Sequence, residues 1–143
     1  FRDPTVDGGE IGAGHAAVAV YEVELADPAD RRARVATLRV RYRPTGADEE
    51  VEVRSVLAAG DLARSWNGAR PSLRLAATVA ELGELLRRSS WARSGSFGVV
   101  AGELDRLARE LDDPRVAETA DLARTAARLA REAEWPAAER DRP

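Results

Sequence analysis

Ala33-Arg34-Val35-Ala36-Thr37-Leu38-Arg39-Val40-Arg41-Tyr42-Arg43 is the stretch whose period decides the fold. Ala36, Leu38, Val40 and Tyr42 fall on one side. Thr37, Arg39, Arg41 and Arg43 fall on the other. Strict alternation is the mark of a strand with one covered and one solvated face. Pro44-Thr45-Gly46 ends it. Downstream, about Glu49–Leu57 repeats the pattern, with Val51 and Val53 on one side and Glu50, Glu52 and Arg54 on the other. Upstream, Ala17, Ala19, Tyr21, Val23 and Leu25 alternate with Val18, Val20, Glu22 and Glu24. That run reads as a strand from Ala16 whose first half is covered on both sides. The turn-like Asp27-Pro28-Ala29-Asp30 joins it to the central strand. An antiparallel meander would set Arg39 and Arg41 between two acidic rows, Glu22 and Glu24 on one side, Glu50 and Glu52 on the other. Opposite charges facing across strands contribute about 0.2–1 kcal/mol each.

From about Pro71 the period becomes helical. A first helix over about Ser72–Arg88 carries Leu75, Val79, Leu82 and Leu86. A second, capped by Ser96, carries Val100, Leu104, Leu107 and Leu111. A third opens on Asp113-Pro114, a cap followed by proline at the first helical position. Its stripe is Thr119, Leu122, Ala126 and Leu129. Glu84–Arg88 and Asp105–Arg109 stand at the spacing of surface ion pairs. The expected fold is α+β: an antiparallel sheet of three or four strands followed by a three-helix unit. The divisions are a Gly-rich lead-in over 1–15, a β part over 16–60, a helical part over 61–133 and a flexible tail over 134–143. Trp66, Trp91 and Trp135 lie near breaks between elements and are expected to anchor core edges.

Composition bounds the function. The 143 residues are 44% hydrophobic and 33% charged, enough for one domain with a core. Net charge is −3, and neither half of the chain is a basic patch, which argues against nucleic-acid or membrane binding. No apolar run of membrane-spanning length and no signal-like segment is present. With no Cys there is no disulfide, thiol nucleophile or cysteine metal cage. All 22 basic residues are Arg, which with abundant Ala fits a GC-rich genome. The chain has no Met, even at position 1, and this predicts a piece of a longer protein.

The densest unusual segment is Asp7-Gly8-Gly9-Glu10-Ile11-Gly12-Ala13-Gly14-His15. A dinucleotide loop follows a strand and opens a helix, whereas this one opens a strand. No Lys-Ser/Thr pair follows, so it is no P-loop. His15 is the single histidine, and Glu10 or Asp7 beside it makes a carboxylate–histidine pair conceivable. No nucleophile elbow accompanies it, and one His among scattered acids is a poor metal site. The structural reading gives His15 a hydrogen-bonding role at the start of the first strand, with glycines supplying positive φ.

The same segment, followed by Ala19-Val20-Tyr21-Glu22, resembles the C-terminal region of bacterial von Willebrand factor type A domain proteins of the YfbK type. There an Asp-Ala-Gly-Glu-Ile-Gly-Ala-Gly-His stretch leads into a strand ending in Leu-Tyr-Glu. Gly9 stands where that family has Ala. Leu38-Arg39-Val40-Arg41-Tyr42 with Pro44 matches as well. So do Leu75-Ala76-Ala77-Thr78-Val79-Ala80-Glu81-Leu82-Gly83 with Leu85-Leu86-Arg87, and Ser89-Ser90 before Trp91. The likeness runs from Asp7 to about Ala130. It makes Asp7, Gly9, Glu10, Ile11, Gly12, Gly14, His15, Tyr21 and Glu22 a structural family motif with no catalytic, cofactor or metal role.

The resemblance implies a non-catalytic structural or interaction module that follows an A domain and supports metal-dependent adhesion by that domain. In such proteins the A domain holds a divalent cation through an Asp-x-Ser-x-Ser loop, and Ser94-Gly95-Ser96 lacks the preceding Asp. No cofactor is therefore expected here. The implied partners are the A domain of the same chain and an unidentified protein. The implied location is extracytoplasmic, periplasmic or at the cell surface. A strand from the upstream region would complete the sheet. Without it, the exposed strand edge should form a homodimer or be covered by the Gly-rich segment. The alternative function is a hydrolase using His15 and Glu10.

Overall fold

A computed structural model describes residues 9–25, 32–92 and 95–132. The chain divides into two compact units, one of Phe1–Tyr21 and Leu75–Pro143, the other of Glu22–Arg74. The fold is α+β, with two antiparallel strands and three helices among the described residues.

Strands β1 (Arg34–Tyr42) and β2 (Val51–Ala58) form the hairpin. The register pairs Ala36 with Leu57, Leu38 with Ser55, Val40 with Val53 and Tyr42 with Val51. These residues share one face, as the alternation requires. Only two of the expected three or four strands are present among the described residues, where Ala16–Leu25 belongs to no ladder. Its apolar residues fall on both sides of the chain, so a strand there would need cover on both faces. Tyr21 is 76% exposed. The turn expected at 27–30 lies outside the described residues, as do the expected tail, 134–143, and Trp135.

The polar face of the hairpin is only half as expected. Arg41 stands opposite Glu52, and its Nε lies 3.2 Å from a Glu50 carboxylate oxygen. Arg43 reaches the same carboxylate at 3.5 Å. Arg39, however, faces Arg54 and not an acid. Like charges directly opposite destabilise a strand pair. Arg54→Glu should therefore raise hairpin stability by about 0.5 kcal/mol, measured as slower amide exchange at β1. Faster exchange would contradict the register.

The helical unit is built from α1 (Pro71–Leu86), α2 (Phe97–Leu111) and α3 (Pro114–Glu132). Their starts are written in the sequence. Ser96 Oγ accepts the Val99 backbone N–H at 3.2 Å, which satisfies one of the orphan donors of a helix N-terminus. Asp113 Oδ1 accepts the Arg115 N–H at 2.9 Å, with Pro114 at the first helical position. Helix α1 ends on Arg88, which takes a left-handed φ of 56°. Ser89 N–H then bonds Glu84 O, and Arg88 N–H bonds Leu85 O, the paired closure of a Schellman end. Arg87 pairs with Glu84 at 2.5 Å. The expected Asp105–Arg109 pair is replaced, since Arg124 of α3 donates to both Asp105 and Asp121.

The core joins Leu82 and Leu85 of α1, Ala92, then Phe97, Val100, Ala101, Leu104 and Leu107 of α2, and Val116, Ala120, Ala123 and Ala127 of α3. On α2 the expected stripe holds as far as Leu107. On α3 it does not. Leu122 and Leu129 are 64% and 51% exposed, and Thr119 turns its hydroxyl back to Arg115 O at 2.8 Å. The buried α3 face is a row of alanines. Small side chains let two helix backbones approach closely, which a leucine row would prevent. Helix α1 is also rotated from expectation. It buries Arg74, Thr78, Leu82 and Leu85, while Val79 and Leu86 are exposed. Beside it, a Cβ on Gly95 would stand 2.6 Å from Glu81 Oε1 and 3.4 Å from Leu85 Cδ2, so this connection needs glycine for clearance. Buried Glu103 receives Arg106 Nε at 2.8 Å. Trp91 is no core anchor, being 82% exposed, and Trp66 is exposed as well.

The Asp113 cap carries a pH signature. The Arg115 guanidinium bonded to it holds its carboxyl below the usual carboxylate range. A depressed folded-state pKa adds stability that is present above the unfolded value and lost as pH falls through the folded one. Both groups face solvent, so the effect is small. Asp113→Asn keeps a capping side chain but removes the charge. On acidification below the ordinary Asp range, wild type should lose more α3 helicity by circular dichroism than Asp113→Asn does. Equal losses would assign the cap no charge component.

Candidate functional site

The Gly-rich segment leading toward residue 16 is the site singled out by sequence. Its ordered feature is a turn over Gly12-Ala13-Gly14-His15, closed by the His15 N–H donating to Gly12 O at 3.0 Å. Gly14 at the third position has φ +80°, which a side chain would resist and glycine accepts. The imidazole folds back over the turn, with Nδ1 3.1 Å from where a Cβ on Gly12 would stand. Gly12 thus gives the ring its room.

An open concavity of about 400 Å³ is lined by Glu10, Ile11, Gly12, His15, Ala16 and Ala17. Glu10 and His15 therefore share one depression, and both are exposed. No ladder begins at His15 among the described residues. Its backbone N–H closes the turn. Gly9, Ile11, Tyr21 and Glu22 are exposed, and Asp7 lies outside the described residues. Among the described residues, no group of three or more His, Asp or Glu side chains could hold a metal ion. No helix among them is long and apolar enough to cross a membrane.

The feature that sequence reading placed wrongly is the apolar face of the hairpin. Alternation predicts that Ala36, Leu38, Val40 and Tyr42 face inward. They share a face with Val51, Val53 and Leu57, yet the large side chains of this set are 37–55% exposed. The pattern identified the face and could not say how far it is left exposed among the described residues.

These observations define a small α+β chain with a glycine turn and a half-exposed apolar sheet face among its described residues. Residues 1–129 match the family described as "Uncharacterized protein YfbK, C-terminal", and the chain belongs to that family. No curated protein and no solved structure matches it.

Proposed function

We propose that this chain is a non-catalytic structural and interaction module that accompanies a von Willebrand factor A domain outside the cytoplasm. The observation that carries the reading is the match of residues 1–129 to the C-terminal family of YfbK-type proteins. Uncovered apolar surface on the hairpin supports an interaction role, because contiguous exposed apolar patches mark sites where another body sits. The module supplies support, and the metal-dependent adhesion belongs to the A domain.

Calorimetric titration of the chain into the A domain of a YfbK-type protein tests this. Saturable binding, with a raised melting temperature of the A domain, is expected. No heat and no shift would sink the reading. The chain alone should give no saturable heat with magnesium, manganese or calcium. A calcium site gathers six or more converging oxygens. Within Asp48-Glu49-Glu50, Glu50 instead pairs with Arg41 and Arg43. Asp113 is taken by the α3 cap. A stoichiometric site of micromolar affinity would overturn the division of labour.

The hydrolase alternative has one observation in its favour, the shared concavity of Glu10 and His15. General acid–base work requires a positioned pair and a reacting group held against it. Turnover of an ester or peptide substrate that His15→Ala abolishes would favour the enzyme. Absence of turnover across such substrates is the expected result.

A further inference from the structure

Asn67 is the chain's single asparagine, and there is no glutamine. Gly68 follows it and has no Cβ to shield its backbone nitrogen. Asn-Gly is the dipeptide in which that nitrogen most readily attacks the side-chain amide carbon before it. Both residues are exposed, in a short 3-10 helix over Trp66–Gly68 that lies between β2 and α1. The turn holds the nitrogen in place. Gly68 N–H donates to Ser65 O at 3.1 Å and to Ser65 Oγ at 3.2 Å. Ser65 is extended, with φ −156° and ψ 162°, as a capping residue should be. A Cβ on Gly68 would stand 3.3 Å from Ser65 Oγ. The residue that makes Asn67 reactive is thus the one that lets the protecting hydroxyl come close.

We infer that Asn67 is a deamidation site gated by Ser65, reactive only when the Trp66–Gly68 turn opens. Attack needs the Gly68 nitrogen to lose its proton to a base in solution and to swing toward Asn67 Cγ. An N–H held by two acceptors resists both steps. Once the turn opens, the nitrogen bonds Cγ, a five-membered succinimide closes, and ammonia leaves with one proton. Water then opens the ring. Addition at Cγ breaks its bond to nitrogen and gives aspartate. Addition at the Asn67 backbone carbonyl breaks that bond instead and gives isoaspartate. The net reaction consumes one water and releases one ammonia, with no oxidant or reductant. Either product puts a carboxylate in sequence between Arg64 and Arg70. Isoaspartate also routes the main chain through the side chain, which lengthens the span between Ser65 and Gly68 and spoils the register of their bond.

Intact mass spectrometry of the chain during incubation in mildly alkaline buffer tests it. Each event exchanges NH2 for OH, and with no other carboxamide side chain the mass gain reports Asn67 alone. Asp7-Gly8 can close the same ring but returns to its starting mass. The chain unfolded in guanidinium chloride should gain mass more than about tenfold faster than the folded chain, because unfolding removes both bonds. Folded Ser65→Ala loses the hydroxyl alone and should react about fivefold faster than wild type. Ser65→Thr keeps a hydroxyl and should match wild type. In denaturant all three should react at one rate, which separates the cap from intrinsic reactivity. Amide exchange at β2 shows which variants are folded, and the wild-type comparison stands without them. Equal rates for folded and unfolded wild type overturn the proposal, as does an unfolded chain that gains no mass. So does a folded Ser65→Ala no faster than wild type, or a folded Ser65→Thr as fast as Ser65→Ala.

Discussion

Leu104→Ala is expected to remove a large part of the stability of the helical unit. Leu104 is 0% exposed, at the centre of a cluster with Val100, Leu107, Ala120 and Ala123. Truncation removes the transfer free energy of the lost atoms and leaves a cavity. Together these cost about 3–5 kcal/mol where the site cannot collapse. Collapse is difficult here, because the facing α3 residues are already alanines and have no side chain to move into the void. A small domain holds about 5–15 kcal/mol in total. The melting temperature should therefore fall by about 15 °C or more. Leu111→Ala, near the exposed end of the same stripe, should cost about 1 kcal/mol or less. Thermal melts followed at a helical band decide it. Similar losses for the two variants would mean that the core is not centred on Leu104.

Ala123→Leu is expected to destabilise the chain by about 2 kcal/mol, whereas Leu122→Ala should change stability by about 0.5 kcal/mol or less. The direction is opposite to what hydrophobicity suggests. Ala123 is fully buried against α2, and added methylenes have no space there. Leu122 projects to solvent, so its loss removes little burial. Denaturant unfolding of both variants is the check. A costly Leu122→Ala with a harmless Ala123→Leu would return α3 to the face that its leucines mark.

That reversal shows what the sequence made legible and what it did not. Helix starts were readable because caps are local chemistry: Ser96 and Asp113-Pro114 need only their own next few residues. The hairpin was readable because alternation over nine residues admits few other structures. The buried face of α3 was not, since periodicity ranks Leu above Ala while close helix approach ranks them the other way. On α1, buried Arg74 and Thr78 displaced Val79 and Leu86, and no polar residue advertises its burial in sequence. The strand expected at Ala16–Leu25 is absent among the described residues, because alternation marks an extended run and does not supply a neighbour for it to pair with. At the candidate site, the turn glycines and the family could be read from the motif. The chemistry could not, because Glu10 and His15 share an open depression and not an enclosed, oriented site.

The apolar hairpin face as a surface built to be covered is the claim that links fold to function. Its most direct test is thiol labelling at Val40→Cys and Thr37→Cys, one on each face of β1. The chain has no other cysteine, so each variant reports a single position. As the A domain of a YfbK-type protein is added under reducing conditions, the labelling rate at Val40→Cys should fall while that at Thr37→Cys stays constant. Rates that stay constant at both positions would contradict the claim.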